Sequence, residues 1–448
     1  MITSNQGGPM TGGCLVTSSQ RGSMSKVLKR RWHSDIGGHG LPRKDTRSCD
    51  YEAYVPDLLI GRQFVFEGDV AADIADAETA IARMNAETTA LVDTEALARI
   101  LLRAESVASS RIEGLEVGAR RLLRAEAERS LPQSPSDVTA TEVLGNIDAM
   151  VYGVERAGVG KEITVELLLE IHRRLLRVTH LDAHAGRVRE TQNWIGGSDY
   201  NPCSAAYVPP PPEHVSGLLD DLCAFCNTDE LPAVAQAAIA HAQFETIHPF
   251  VDGNGRAGRA LIHLVLRRRG LAPRVLAPVS LVLATWARTY IDGLTQYRYV
   301  GSPTSRKAVQ GVNTWIARFA GACTRCASDA AAFQARAEQL EAEWRKRLGA
   351  IRANSATDVL LHSLPGAPIL TMHSAEALID RTFKPTHTAI ERLVEAGILQ
   401  PITITRRNRA YEAPEIIEAF TALERQLASP AGDTRASRPV RPVPHRSK

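Results

Sequence analysis

Two stretches patterned as helix, 232–247 and 254–269, are joined by the segment His248-Pro-Phe-Val-Asp-Gly-Asn-Gly-Arg256-Ala-Gly-Arg259. This junction constrains the fold most. Gly253 and Gly255 flank Asn254 and leave the backbone free to take conformations closed to other residues. Successive N–H groups can then point inward as an anion nest. The second helix begins at the same spot, so its N-terminal dipole also favours negative charge.

The side chains around the turn fit that polarity. Arg256 and Arg259 are permanent cations suited to bidentate phosphate binding. Asp252 is an acid beside a phosphate cradle, the position of a magnesium ligand. His248 ends the preceding helix and titrates near neutral pH, as a general base must. The set describes nucleotide phosphates held for attack by a deprotonated hydroxyl.

Periodicity predicts further helices at 69–86, 94–112, 121–130, 139–156, 164–178, 213–227 and 280–299, and one or two long ones over 305–350. A Gly- and Pro-rich break at 181–213 is loop and hairpin. Short helices near 355–364, 373–380 and 385–396 precede two strand-like stretches, 398–405 and 409–413, around a basic turn at Arg406, Arg407 and Asn408. Three helices and a two-stranded wing describe a winged helix-turn-helix.

Charge is unevenly spread. Residues 1–50 carry a net +5 and 434–448 another +5, which leaves the remainder near −7 within a total of +3. The overall basicity is therefore weak evidence for nucleic-acid binding. No apolar run is long enough to span a bilayer. No signal-peptide layout is present, so a cytoplasmic location and reduced thiols are expected for the seven cysteines. The pairs Cys223/Cys226 and Cys323/Cys326 have metal-ligand spacing. They lie in helical pattern without a knuckle, which favours small buried side chains.

The segment His248–Arg259 resembles the Fic motif H-x-F-x-[DE]-G-N-G-R-x-x-R at every specified position. Phe244-Glu245-Thr246-Ile247 is similar to the family, as is the loop Gly186–Pro212 with Trp194-Ile195-Gly196 and Tyr207-Val208-Pro209-Pro210. The resemblance implies a mainly α Fic/Fido fold with a short β-hairpin flap, over about 51–300. It implies transfer of AMP from ATP, with Mg²⁺, to a Tyr, Thr or Ser hydroxyl of a protein. His248 would deprotonate that hydroxyl and Asp252 would hold Mg²⁺. Gly253, Asn254, Gly255 and Arg256 would cradle the phosphates, Arg259 would orient the γ-phosphate, and Phe250 would anchor the core. Trp194, Ile195 and Gly196 would offer a strand edge to the target segment.

Ser109-Ser110-Arg111-Ile112-Glu113-Gly114 resembles the family's inhibitory pattern [ST]-x-x-x-E-[GN]. Ser109 and Glu113 share a helix face, and Gly114 suits the helix end. A carboxylate there would pair with Arg259, which the γ-phosphate needs.

The expected division is 1–50, a disordered basic tail; 51–160, a helical region with the inhibitory helix; 161–300, the catalytic domain; 301–352, a helical connector; 353–420, the winged helix; and 421–448, a basic tail. The expected partner is a protein with a hydroxyl side chain, the chain itself included. DNA through 353–420 (Lys384, Thr386, His387, Thr388, Arg392, Arg406, Arg407, Arg409) and a homodimer stay open, and no membrane partner is expected. Two other readings stand beside the first: a nucleotide-sensing transcriptional regulator that binds DNA, and an enzyme that both adds and removes AMP.

Overall fold

A computed structural model describes residues 24–34, 42–87, 94–129, 137–405 and 408–427. Among the described residues two strands come first, β1 (Lys26–Trp32) and β2 (Cys49–Val55). Eleven helices follow: α1 (Gly68–Glu87), α2 (Thr94–Ile112), α3 (Ala119–Glu128), α4 (Val138–Arg156), α5 (Val165–Leu176), α6 (Pro212–Cys226), α7 (Ala233–Ile247), α8 (Asn254–Arg268), α9 (Val279–Thr285), α10 (Ala287–Tyr297) and α11 (Arg306–Leu348). The C-terminal unit comprises α12 (Ala356–Ser363), β3 (Ile369–Thr371), α13 (Met372–Ile379), α14 (Phe383–Glu395), β4 (Gln400–Thr405), β5 (Asn408–Glu412) and α15 (Pro414–Leu427). The fold is mainly helical, as expected.

Helix starts follow local chemistry. Asp137 accepts the Ala140 amide at 3.1 Å to cap α4, and Thr164 accepts the Leu167 amide at 3.2 Å to cap α5. Gly270, with φ 70°, ends α8 where a left-handed residue is required.

α7 is the centre of the body. Every residue from Ala233 to Ile247 except Glu245 is buried. A helix that is buried all round is a core helix, and its alanines let neighbours approach closely. α8 packs against it with equal burial. α11 crosses the same core, and its Trp315 donates Nε1–H to the Ala238 carbonyl at 2.7 Å. The segment His248–Gly253 therefore hangs between two deeply buried helices.

Four expectations are corrected. First, residues 1–50 are not wholly an unstructured tail. β1 pairs antiparallel with β2 from Lys26↔Val55 to Trp32↔Cys49, and Ser25 Oγ donates to the Tyr299 carbonyl at 2.7 Å. The strand is hard to see in the sequence because Lys29, Arg30 and Arg31 occupy its exposed positions. Second, Cys49 and Cys203 form a disulfide between positions 154 residues apart, with Cα atoms 5.7 Å apart. The other four described cysteines are free and buried.

Third, the 280–299 stretch is two helices that meet at Trp286, where ψ is 35°. Fourth, α15 carries helix past 420 into the expected tail. The stretch 301–352 is occupied by one helix, α11, which packs lengthwise on α1. At its far end, Trp344 donates to Glu415 of α15 at 2.5 Å.

In the C-terminal unit four helices, α12 to α15, accompany a three-stranded sheet of order β3-β5-β4, one helix and one strand more than anticipated. Residues 406 and 407 of the expected basic turn lie outside the described residues. The unit packs against α2 and α3: Arg103 donates to the Gly366 carbonyl at 3.3 Å, and Arg120 pairs with Glu412 at 3.1 Å.

Candidate active site

α7 ends at His248, whose φ of 50° and ψ of 62° place it in the left-handed region. Such a conformation is uncommon for a side-chain-bearing residue and is held here by its neighbours. Arg189, almost fully buried, donates Nε–H to the His248 carbonyl at 2.8 Å and its own amide to the Pro249 carbonyl at 2.9 Å. Its Nη2 reaches the Pro210 carbonyl at 2.6 Å. Burial lowers the Arg189 pKa to about 10, which leaves it a cation at neutral pH.

The turn itself is locked from both sides. Asn254 accepts the Phe250 amide and donates to the Phe250 carbonyl, both at 2.8 Å. Phe250 is fully buried and lies flat against His172, with ring centroids 3.8 Å apart. Gly186 donates its amide to His172 Nδ1 at 3.0 Å, so Nε2 carries the proton and donates to the Asp252 carbonyl at 3.0 Å. Gly253 takes φ 77° and starts α8, and a Cβ there would meet Leu175 Cδ2 at 2.8 Å. The first intrahelical bond of α8 runs from the Ala257 amide to the Gly253 carbonyl. The amides of Asn254, Gly255 and Arg256 therefore lack helical acceptors and face the turn.

Arg256 is nearly buried. Its Nη2 pairs with Asp252 Oδ2 at 3.2 Å, while its Nε and Nη1 have no hydrogen-bond partner. Buried guanidinium donors without acceptors are costly, and a phosphate oxygen is the group that would satisfy them. The Asp252 side chain is about half exposed. A single carboxylate beside a phosphate cradle fits Mg²⁺, which keeps most of its shell as water and phosphate oxygen.

Arg259 is buried beneath the turn and is held by α2. Its Nε donates to Ser109 Oγ at 2.8 Å, and its Nη2 donates to the Ser109 carbonyl at 2.8 Å and to Glu113 Oε1 at 2.6 Å. Glu113 follows the end of α2, and Gly114 takes φ 84° immediately after. Burial works against the Glu113 charge, but Arg259 outweighs it and holds the carboxyl below its usual range. Gly255 makes room for the contact, since a Cβ there would lie 2.0 Å from Glu113 Oε1.

The expected inhibitory residues and the motif residues thus share one site. One turn earlier on the same face of α2, Glu105 accepts the Ser280 amide at 2.8 Å and lies 2.9 Å from His263 Nε2 on α8. All three residues are fully buried, and they fasten α2 to α8 and α9.

His248 points its Nδ1 toward Glu245 Oε2 at 4.0 Å. Burial, aided by Arg189, lowers its pKa to about 4. The imidazole is therefore neutral at pH 7 and free to accept a proton.

The flap is smaller than a full hairpin: one bridge joins Ile195 to Tyr207. Gly196 takes φ 74° beyond it, and Ile195 is partly exposed. Trp194 turns away from the motif, donating to the Ser198 carbonyl at 2.6 Å and packing edge-on against Trp32. β2 borders the other flap strand, with the Tyr54 amide donating to the Val208 carbonyl at 3.0 Å.

Sequence reasoning missed Arg189, His172 and Glu105, and it placed Glu245 in the family-like stretch Phe244–Ile247 without giving it a role. The first three sit in no local motif, and only the three-dimensional packing brings them to the site. In the C-terminal unit Thr386 is buried and bonds the Thr382 carbonyl, while His387 pairs with Glu391 at 3.2 Å. Lys384 and Arg409 are exposed.

Residues 162–266 match the Fic/DOC family model, and residues 71–155 match the Fic/DOC N-terminal model. These two stretches are what the chain shares with the Fic/DOC family. It is 32% identical over 164 residues to protein adenylyltransferase fic-1 of Caenorhabditis elegans, covering 36% of this chain and 29% of that protein. It is 37% identical over 140 residues to protein adenylyltransferase Fic of Drosophila grimshawi, covering 30% and 26% respectively. The chain thus spans less than a third of the length of these curated relatives. A Fic family protein from Desulfovibrio desulfuricans G20 aligns with 78% of this chain and 97% of its own, at 20% identity and a TM-score of 0.49.

Proposed function

We propose that this Fic protein is a protein adenylyltransferase that moves AMP from ATP to a hydroxyl of a protein and is restrained by Glu113. The observation that carries the reading is the convergence of a neutral, buried His248, the unsatisfied donors of Arg256 and the α8 N-terminus on one turn.

In this reading the target oxygen bonds to the α-phosphorus, the bond to the β-bridging oxygen breaks and diphosphate leaves. The hydroxyl proton passes to His248 Nε2. Arg256 and the amides of residues 254–256 hold the phosphates. Asp252 holds Mg²⁺, which supplies charge neutralisation when bound. Arg259 orients the γ-phosphate only when Glu113 releases it. The relatives' names support the reaction class.

The flap residues Trp194, Ile195 and Gly196 would register the target segment. The division into a helical region over 51–160, a catalytic domain over 161–300, a helical connector over 301–352 and a winged helix over 353–420 belongs to the same proposal, with the β3-β5-β4 sheet and helices α12, α13 and α14 in support of the last. Exposed Lys384 and Arg409 keep DNA as a partner of that unit, and salt-sensitive retardation of duplex DNA tests it. Incubation with labelled ATP and Mg²⁺ tests the main reading: label should enter protein with the parent chain or Glu113→Gly and not with His248→Ala. Label retained by His248→Ala would overturn it.

A further inference from the structure

Glu245 stands one helical turn before His248 on α7 and has no part in the reaction as described above. It is the one residue of that helix that is not fully buried, and its side chain faces the site with 11% exposure, against 18% for His248. Its Oε2 lies 4.0 Å from His248 Nδ1. Neither Glu245 Oε1 nor His248 Nδ1 has a hydrogen-bond partner in the structure. Oε2 is thus the carboxylate oxygen turned toward the unpartnered Nδ1, while Oε1 lies against Gly258.

The space for this carboxylate is built in. A Cβ at position 258 would lie 2.7 Å from Glu245 Oε1 and 2.9 Å from Phe244 Cδ1. Gly258, an unspecified position of the motif, thus lets the catalytic helix α8 pass directly over Glu245.

We propose that Glu245 is the positioning residue of the base: it accepts the Nδ1 proton of His248, leaves Nε2 facing the target hydroxyl, and supplies the counter-charge when the ring becomes imidazolium. This rests on the adenylyltransferase reading with His248 as base. The proton balance is simple. The hydroxyl proton moves to Nε2, the ring gains one positive charge, Glu245 stays a carboxylate, and the ring returns its proton to solvent after diphosphate has left. A buried imidazolium without a counter-ion is strongly disfavoured. In the resting arrangement the Glu113 carboxylate and the Glu245 main chain favour the charged ring, and in an active enzyme Glu113 has withdrawn.

The groups that act on Glu245 come from several elements. Arg259 of α8 and Arg298 after α10 favour its charge, while Glu113 after α2 opposes it. Tyr290 of α10 and His241 of α7 stand beside it. Burial dominates and pushes its pKa up to about 7. Ionisation of Glu245 therefore turns the base on as the pH rises toward neutrality. Removal of Glu113 withdraws one opposing charge, and the bound triphosphate brings another to Arg259.

The test uses Glu113→Gly as the parent and follows AMP transfer from pH 5 to 9. The parent should show a rise in kcat between pH 5 and 8. Glu245→Gln should lower kcat on the order of 10–100-fold, within the usual range for proton-transfer assistance, leave the KM for ATP near the parent value and abolish the rise. Glu245→Asp should restore the rise at a reduced rate. A Glu245→Gln protein with the parent's kcat and pH profile overturns the proposal. Should that variant not fold, a flat parent profile between pH 5 and 8 overturns it equally. A parent that transfers no AMP at any pH would instead overturn the reaction reading.

Discussion

The Nη2 of Arg259 lies 2.6 Å from Oε1 of Glu113, and the same guanidinium is gripped twice more by Ser109. One cation of the phosphate site is thus already engaged by the chain itself. Anything that needs Arg259 has to displace a carboxylate and compete with a hydroxyl and a carbonyl.

Removal of this contact should activate. Glu113→Gly is expected to raise AMP incorporation on the order of tenfold or more, the usual size of a coupling of about 1–3 kcal/mol. Ser109→Ala removes one hydrogen bond to Arg259 and leaves the carboxylate in place, so its gain should be smaller. Initial rates of label incorporation at saturating ATP decide the order. A Ser109→Ala rate above that of Glu113→Gly would contradict it.

The motif and the inhibitory pattern were legible because each is a short run of residues at one end of a helix. Their meeting was an expectation of the resemblance to the inhibitory pattern, with which the opposite charges of Arg259 and Glu113 agree. What the chain did not disclose was packing between distant segments. β1 hides behind Lys29, Arg30 and Arg31, and Cys49 finds Cys203 across 154 residues. His172 and Arg189 look ordinary in sequence, yet they clamp the Asp252 and His248 carbonyls. Glu105 resembles any helix acid until Ser280 and His263 close around it.

Buried histidines set a pH dependence of stability. Burial, with Arg259 nearby, lowers the His241 pKa to about 3, whereas an unfolded histidine titrates near 6.5. Between these values the unfolded chain binds a proton that the folded chain refuses, so stability falls as the pH drops below about 6.5. His241→Phe removes that contribution. Urea denaturation at pH 7 and pH 4.5 should show the parent losing roughly 1–3 kcal/mol more than the variant over this interval. An equal loss would contradict the burial of a neutral His241.

The flap is tied to the N-terminal hairpin by the Cys49–Cys203 disulfide, with help from Ser198 Oγ donating to Asp45 Oδ1 at 2.6 Å and Asn201 Nδ2 donating to the Asp45 carbonyl at 2.9 Å. Reduction, or Cys203→Ser, should cost about 2–4 kcal/mol and speed amide exchange at 194–208 and 44–55 more than in α7 and α8. Amide hydrogen exchange followed by mass spectrometry checks this. Unchanged exchange in both segments would show that the hydrogen bonds alone suffice.

The most direct test of a restrained adenylyltransferase is intact mass after incubation with ATP and Mg²⁺. The parent should gain little, Glu113→Gly should gain whole AMP groups, and Glu113→Gly with His248→Ala should gain none. A gain of phosphate instead of AMP, or no gain in Glu113→Gly with or without added protein substrate, would contradict the central claim.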